Sequence, residues 1–143
     1  MKLTEFLLAR IAEDEALAQV ATPGQWDRDS GWSITAPPPE DWSGPYVVVE
    51  TKQRNDAEFI ASHNPARVLA ECEAKRNIVA HLVDAERGVA RAARLLAREG
   101  NDSRDAQEAE FAADAKLDAV TCIAKHVAAV YADHPDFDEE WRP

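Results

Sequence analysis

Hydrophobic and polar residues alternate with helical periodicity over three long stretches of the chain. The clearest stretch begins at Asn64-Pro65, where an asparagine suited to the N-cap precedes a proline suited to the first helical position. Apolar residues then recur every three or four positions and define one face of a helix over residues 65–98: Ile78, Leu82, Ala85, Val89, Ala92 and Leu96. This pattern predicts a central helix on which neighbouring helices pack.

Two further helices are predicted from the same periodicity, over residues 4–21 and 105–132. The first presents an apolar stripe of Leu3, Leu7, Ile11 and Ala18, with Phe6 and Leu17 on its flank. The third presents inward-facing Ala113, Leu117, Val120, Ala124, Val127 and Tyr131, with Ile123 and Val130 alongside. An acidic tail over residues 133–143 contains Phe137 and Trp141, so docking onto the helices and disorder both stay open for it.

Residues 25–54 follow a β pattern. Asp29-Ser30-Gly31 has the composition of a tight hairpin turn, a proline-rich loop precedes Pro45, and Tyr46–Thr51 is a β-branched strand. A short helix over residues 57–62, capped by Asp56, leads into the central helix. The predicted fold is mainly α (α+β) and forms a single domain. It consists of three long helices in an antiparallel bundle, with a small antiparallel sheet inserted between helix 1 and the central helix.

Composition narrows the class of protein. The 143 residues carry a net charge of −11, which argues against general affinity for nucleic acid phosphates. No signal peptide and no apolar run long enough for a membrane span is present, and the two cysteines are expected to be reduced thiols. We therefore expect a cytoplasmic protein without membrane contact. Charge is uneven, because residues 105–143 carry 3 Lys+Arg against 10 Asp+Glu.

One ridge on the third helix has residue types that bind metals. Asp118, Cys122 and His126 follow at intervals of four, Asp114 lies one turn earlier, and His81 on the central helix could add a ligand. A ridge of period four drifts around the helix axis, however, and neither a Cys-x-x-Cys nor a His-Glu-x-x-His motif is present. We predict no metal, no cofactor and no catalytic residue, and keep these five residues as an alternative site.

Two sets of residues are candidates for an interaction surface. Arg87, Arg91, Arg94 and Arg98 lie opposite the apolar face of the central helix and are expected to be exposed. Trp26, Trp32 and Trp42 lie in or beside the predicted sheet, where they could stack on a ligand or, as we favour, form the sheet's own core.

Asp14 is an unusual member of the first apolar stripe. Docking of that stripe would remove its carboxylate from bulk water, which is costly without a cation. Lys75 lies beside the apolar face of the central helix, and Arg76 follows it. We predict an ion pair between Asp14 and Lys75 or Arg76, which would fix the register of the two helices, with Arg10, one turn earlier, as the local alternative partner.

Three segments resemble a known family in combination. They are Phe6-Leu7-x-Ala9-Arg10 followed by Glu13-Asp14-Glu15, then His63–Leu69 followed by Glu73-Ala74-Lys75-Arg76, and finally Tyr131–Pro135 closing on Glu140–Pro143. Together these resemble a family of small proteins from actinobacteria and their phages, domain of unknown function 6221. The resemblance implies an actinobacterial or phage origin and a cytoplasmic setting, and it implies no particular chemistry.

The leading hypothesis is a non-enzymatic accessory protein that acts through protein–protein contacts. A protein partner is expected, its identity is open, and homo-oligomer formation is open as well. The alternative is a small metal-dependent hydrolase that uses Asp114, Asp118, His126 and His81. A polar pocket where these side chains converge would favour the enzyme, and an exposed aromatic patch would favour the binding protein.

Overall fold

The computed structural model describes all of residues 1–143. In chain order it contains α1 (Leu3–Val20), β1 (Asp27–Arg28), β2 (Ser33–Ala36), β3 (Tyr46–Glu50), α2 (Arg54–Ser62), α3 (Pro65–Glu99) and α4 (Arg104–Ala128). Short 3-10 turns follow at Ala129–Tyr131 and Glu139–Trp141. The predicted fold class is confirmed, since the chain is mainly helical and its small antiparallel sheet follows the first helix and precedes the central one in sequence.

Local chemistry explains where most helices begin and end. The side chain of Asn64 accepts a hydrogen bond of 3.1 Å from the backbone of Arg67, as an N-cap should. Gly100 ends α3 at a positive φ of 85°, and the Ser103 hydroxyl then caps α4. The short helix α2 differs from its prediction, because it begins at Arg54 and places Asp56 in its first turn instead of at the cap.

The chain divides into two compact units. Unit 1 consists of residues 1–11 and 74–143, and unit 2 consists of residues 12–73. Helices α1 and α3 contribute residues to both units.

Unit 1 is helical, and its core is made of large residues from α1 and small ones from α4. The Lys75 ammonium, near the start of the α3 segment, donates a hydrogen bond of 2.8 Å to the Tyr131 hydroxyl just after α4. Helices α3 and α4 therefore run antiparallel. Their buried apolar side chains, with those of α1, are Phe6, Leu7, Ile11, Val79, Leu82, Ala85, Ala92, Ala106, Ala124 and Ala128.

The acidic tail docks within unit 1, which settles the two alternatives that the sequence left open. Trp141 is only 9% exposed, and its ring lies 4.8 Å from that of Phe6, measured between centroids. Phe137 and His134 contact the same phenylalanine ring, each at 5.9 Å. The tail thus supplies aromatic side chains to the core of unit 1.

Unit 2 contains the three-stranded sheet, in the order β1-β2-β3 with antiparallel pairing throughout. One carboxylate oxygen of Asp29 accepts hydrogen bonds of 2.8 Å from the backbone N–H groups of Gly31 and Ser33, which closes the predicted hairpin turn. The left-handed residue of this turn is Trp32, with φ of 65°, and not a glycine. Left-handed backbone is rare for a bulky side chain and marks local strain.

The two edges of this sheet differ. Strand β1 has two residues and packs against α2. Strand β3 has five residues, and its backbone makes no hydrogen bond outside its pairing with β2. Exposed Val47 and Val49 lie on this strand, so β3 is an open, apolar edge.

None of the helices is both long and apolar enough to cross a membrane.

Candidate functional site

The candidate metal ligands do not converge. Asp114, Asp118, Cys122 and His126 are all exposed on α4, and His81 is exposed on α3. No group of three or more His, Cys, Asp or Glu side chains is arranged so that it could hold a metal ion. The alternative hypothesis of a metal-dependent hydrolase therefore gains no support from the geometry of these five residues.

The arginine stripe is exposed, as its spacing predicts. Arg87 lies 3.5 Å from Asp84, and Arg98 lies 3.0 Å from Glu99. Arg91 and Arg94 make neither an ion pair nor a hydrogen bond. Four cations over three turns of α3, two of them without a partner, form a positively charged strip that stays a candidate contact surface.

The three tryptophans have different environments. Trp26 is half-buried, and its indole N–H donates a hydrogen bond of 2.9 Å to the carbonyl of Thr22. Trp32 and Trp42 are exposed, Trp42 by 54%. The interpretation that all three form the sheet's core is wrong for these two, because the buried positions of β2 are filled by the smaller Ile34 and Ala36. Their faces are available for contacts.

A second apolar face on α4 was missed by the sequence analysis. Phe111 is 79% exposed and Val130 is 68% exposed, and Ile123 is exposed between them. At 100° per residue Phe111 and Ile123 lie about 120° apart around α4, outside the sector of the buried Ala106, Ala124 and Ala128. Exposed Ala112, Ala115 and Ala119 lie between them on the same side, and Val130 lies in the 3-10 turn that follows α4. Ile123 and Val130 were predicted to lie alongside the inward stripe, but both are exposed, because the buried face of α4 is narrow and is filled by alanines. We call Phe111, Ile123 and Val130 the α4 patch.

Apolar grooves occur in unit 2. The first has a volume of about 480 Å³. One of its walls is residues 49–53, at the end of β3 and just after it, and the other wall is formed by Asp56, Phe59 and Ile60 of α2. We call this groove the β3–α2 groove. A second groove, of about 280 Å³, is lined mainly by apolar side chains that include Leu17 and Trp26. Leu17 was predicted to flank the buried stripe of α1, but it is exposed.

Negative charge is concentrated in unit 2. Its 62 residues carry 12 Asp+Glu against 4 Lys+Arg, a net charge of −8 out of −11 for the whole chain. One basic group, Lys52, lies beside the end of β3 and lines the β3–α2 groove. Arg54 donates a hydrogen bond of 2.8 Å to Glu58 and thereby lowers the pKa of that carboxyl group, whereas Glu50 and Asp56 make no ion pair. The β3–α2 groove is therefore bordered by two carboxyl groups and one amino group, none of which has an ion-pair partner.

The residues predicted for an ion pair lie in well-defined local environments. Asp14 is half-buried and lines the groove that contains Leu17 and Trp26. The Lys75 ammonium, besides its bond to the Tyr131 hydroxyl, lies 5.0 Å from the centroid of the Tyr131 ring. Arg76 is half-buried on α3. The pairing of Asp14 with Lys75 or Arg76 stays a prediction.

Comparison with curated proteins gives no match, and comparison with solved structures gives none either. A family model does match, and it spans residues 1–143. This match agrees with the resemblance noted at both ends of the chain and at the start of the central helix. The chain therefore belongs to a family of unknown function, DUF6221.

Proposed function

We propose that the protein is a non-enzymatic interaction protein that acts by binding another protein. The α4 patch carries this proposal. Phe111 and Ile123 of α4 and Val130 of the following 3-10 turn are large apolar side chains, and all are at least half exposed. Scattered exposed apolar residues are ordinary on protein surfaces, but here exposed Ala112, Ala115 and Ala119 connect Phe111 to Ile123, and a connected apolar surface marks a contact site. An amphipathic partner helix suits such a face, since its own apolar stripe would cover the patch.

Charge favours a different protein over a second copy at this face. Residues 104–143, which comprise α4 and the tail, carry 4 Lys+Arg against 10 Asp+Glu. Two copies joined through their α4 patches would bring two such acidic surfaces together, and their repulsion opposes pairing. We therefore propose a partner with basic residues around its apolar contact surface. From the family resemblance, we place this interaction in the cytoplasm of an actinobacterium or of a phage-infected actinobacterial cell.

Affinity capture with matched variants tests the proposal. The tagged protein, the variant Phe111→Ser/Ile123→Ser/Val130→Ser and the control Leu8→Ser/Val20→Ser are each incubated with an actinobacterial lysate. Leu8 and Val20 are exposed apolar residues of α1, so the control replaces exposed apolar side chains by serine at two positions of another helix. We expect a protein that is retained by the native chain and the control but lost from the α4 variant.

The captured protein is then purified and titrated against the same three chains. A loss of affinity confined to the α4 variant supports the proposal. Equal affinity for all three chains contradicts it. Light scattering supplies a further check, because a native dimer that becomes monomeric in the α4 variant would assign the patch to self-association.

A further inference from the structure

We propose that the open edge of β3 binds an extended basic peptide segment as a fourth strand of the sheet. The inference goes beyond the proposed function, because it concerns unit 2, a different mode of recognition and a partner of stated chemistry. It rests on three observations: the unpaired edge of β3, the groove beside it, and the charge of the residues around it.

The edge itself provides the hydrogen-bonding groups. In an antiparallel pair, alternate N–H and C=O groups of each strand point away from its partner, so those of β3 that face away from β2 have no backbone partner. Exposed edges of this kind accept additional strands, and main-chain hydrogen bonds then supply much of the affinity. Strand β3 is also the most β-branched segment of the chain, with valine at three successive positions from Val47 to Val49.

A bulge defines where the peptide can pair. Ile34 pairs with Val49 and the next residue, Thr35, pairs with Val47, so Val48 is an extra residue in β3. Bulges bend an edge strand and disfavour long, regular addition of further strands. We therefore expect a short peptide segment, paired on the Val49–Glu50 side of the bulge, next to the β3–α2 groove.

The groove provides a place for side chains of the bound segment. Successive side chains of a strand point to opposite faces, so every second residue of a peptide paired with β3 would point to the same side of the sheet as α2. Phe59 is exposed on α2, and Phe59 and Ile60 form the apolar wall of the β3–α2 groove. β-branched or aromatic residues at alternate peptide positions fit this wall.

Charge selects the occupant. Glu50, Asp56 and Lys52 line the groove without an ion pair, so the lining has a net charge of −1, and unit 2 as a whole has a net charge of −8. Lysine or arginine residues of the peptide would lie in the negative field of unit 2, to which these carboxylates contribute. A second copy of this chain would instead bring another unit of the same charge to the edge, which disfavours pairing of β3 with β3 of another molecule.

The test uses the full chain and three capped nine-residue peptides. The first alternates valine and lysine, the second alternates valine and glutamate, and the third is the valine–lysine peptide with alternate backbone nitrogens methylated. Affinity is measured by fluorescence anisotropy, and amide hydrogen exchange of residues 46–50 reports on the edge. We expect the valine–lysine peptide to bind and to slow exchange of the outward-facing amides. The glutamate peptide should bind about tenfold or more weakly, a difference of about 1.4 kcal/mol, and the methylated peptide should give no protection.

Variants of the chain locate the site. Glu50→Lys/Asp56→Lys is expected to weaken binding of the valine–lysine peptide about tenfold at low salt, with a smaller effect at high salt. Asp114→Lys/Asp118→Lys makes the same change of charge on α4 in unit 1, and should leave binding within about twofold. Thermal melts establish that each variant is folded.

Several results would overturn the inference. The first is an absence of protection of the β3 amides from hydrogen exchange with up to about 1 mM valine–lysine peptide. The second is equal affinity of the chain for the valine–lysine and valine–glutamate peptides. The third is a dimer of the native chain that Val49→Lys abolishes. Peptide binding that is lost in the α4 patch variant but kept in Glu50→Lys/Asp56→Lys would also overturn it while leaving the proposed function intact. If the α4 patch variant keeps its affinity for the captured protein, the proposed function is contradicted but the inference about β3 is not.

Discussion

The ring of Phe6 and the indole of Trp141 come from opposite ends of the chain and pack with their centroids 4.8 Å apart. Phe6 is fully buried, and Trp141 is nearly so. The Trp141 side chain is therefore part of the core of unit 1. The Lys125 ammonium also donates a hydrogen bond of 2.7 Å to the carbonyl of Glu140, which holds the segment beside Trp141.

Removal of the Trp141 ring is expected to be costly. Trp141→Ala deletes a buried aromatic side chain and leaves a cavity against Phe6, so we expect a loss of roughly 3–5 kcal/mol in the free energy of unfolding. Trp42→Ala is the matched control, because Trp42 is 54% exposed and packs edge-on against Tyr46 alone among the aromatic rings. It should cost less than about 1 kcal/mol. Urea denaturation measures both, and similar losses would mean that the tail does not contribute to the core.

Two glycines allow the cost of steric crowding to be compared with the cost of an unfavourable backbone conformation. Gly24 and Gly44 both have positive φ, of 94° and 108°. A Cβ on Gly24 would approach the ring of Pro37 to 2.9 Å, whereas one on Gly44 would meet nothing within 4 Å. Gly44→Ala is expected to cost roughly 1–2 kcal/mol from its backbone conformation. Gly24→Ala should cost more, since the proline ring must also move. Equal shifts in denaturation midpoint would contradict the close approach of Gly24 to Pro37.

The C-terminal turn contains an ion pair with a definite pH dependence. Arg142 donates hydrogen bonds to the Glu139 carboxylate, one of them 3.0 Å long, and this lowers the pKa of Glu139 below its ordinary value. The pair therefore contributes above the ordinary glutamate pKa of about 4.3, and its contribution is lost as pH falls through the lowered value. Arg142→Gln should raise the pKa of Glu139 toward the ordinary range, as measured by carboxyl NMR titration. Arg104→Gln is the control: it removes the arginine that donates a hydrogen bond to Glu108, and it should leave the pKa of Glu139 unchanged.

The elements that sequence predicted well depend on local chemistry. The N-cap at Asn64, the turn at Gly100 and the β-branched run from Tyr46 each follow from a few adjacent residues. The start of α2 was placed too late because Asp56 resembles a cap, although an acidic residue in the first turn is equally favourable.

Features that depend on distant residues could not be predicted. The periodicity of the sequence predicts one apolar face on the third helix. Only the tertiary structure shows that the buried residues of this face are alanines and that Phe111 and Val130 are exposed. The exposure of Trp32 and Trp42 likewise depends on how Ile34 and Ala36 fill the inner face of the sheet. The open edge of β3 follows from strand order, which the sequence does not contain. The candidate surfaces are therefore mainly products of packing.

The ion pair predicted for Asp14 has its own test. If Asp14 pairs with Lys75 as a buried pair, Asp14→Ala should cost about 3–5 kcal/mol, and about 1 kcal/mol or less if the pair is exposed. Thermal melts of Asp14→Ala, Lys75→Met and the double variant form a double-mutant cycle. A coupling energy above about 0.5 kcal/mol indicates pairing, whereas additive losses would show that the two side chains do not interact. The same cycle with Arg76→Met tests the neighbouring cation.

Exposed and buried arginines should differ in their effect on stability. Arg91 and Arg94 are exposed and make no ion pair, so Arg91→Gln/Arg94→Gln should change the free energy of unfolding by less than about 0.5 kcal/mol. Arg10 is only 7% exposed, and one of its guanidinium nitrogens lies 2.7 Å from His134 Nδ1 and 3.7 Å from a carboxylate oxygen of Asp136. Arg10→Gln removes this charge from the junction of α1 and the tail, and should cost about 1–3 kcal/mol. Urea denaturation compares the variants. A large loss in the Arg91/Arg94 variant would mean that the arginine stripe stabilises the fold, which would remove the reason to regard it as a contact surface.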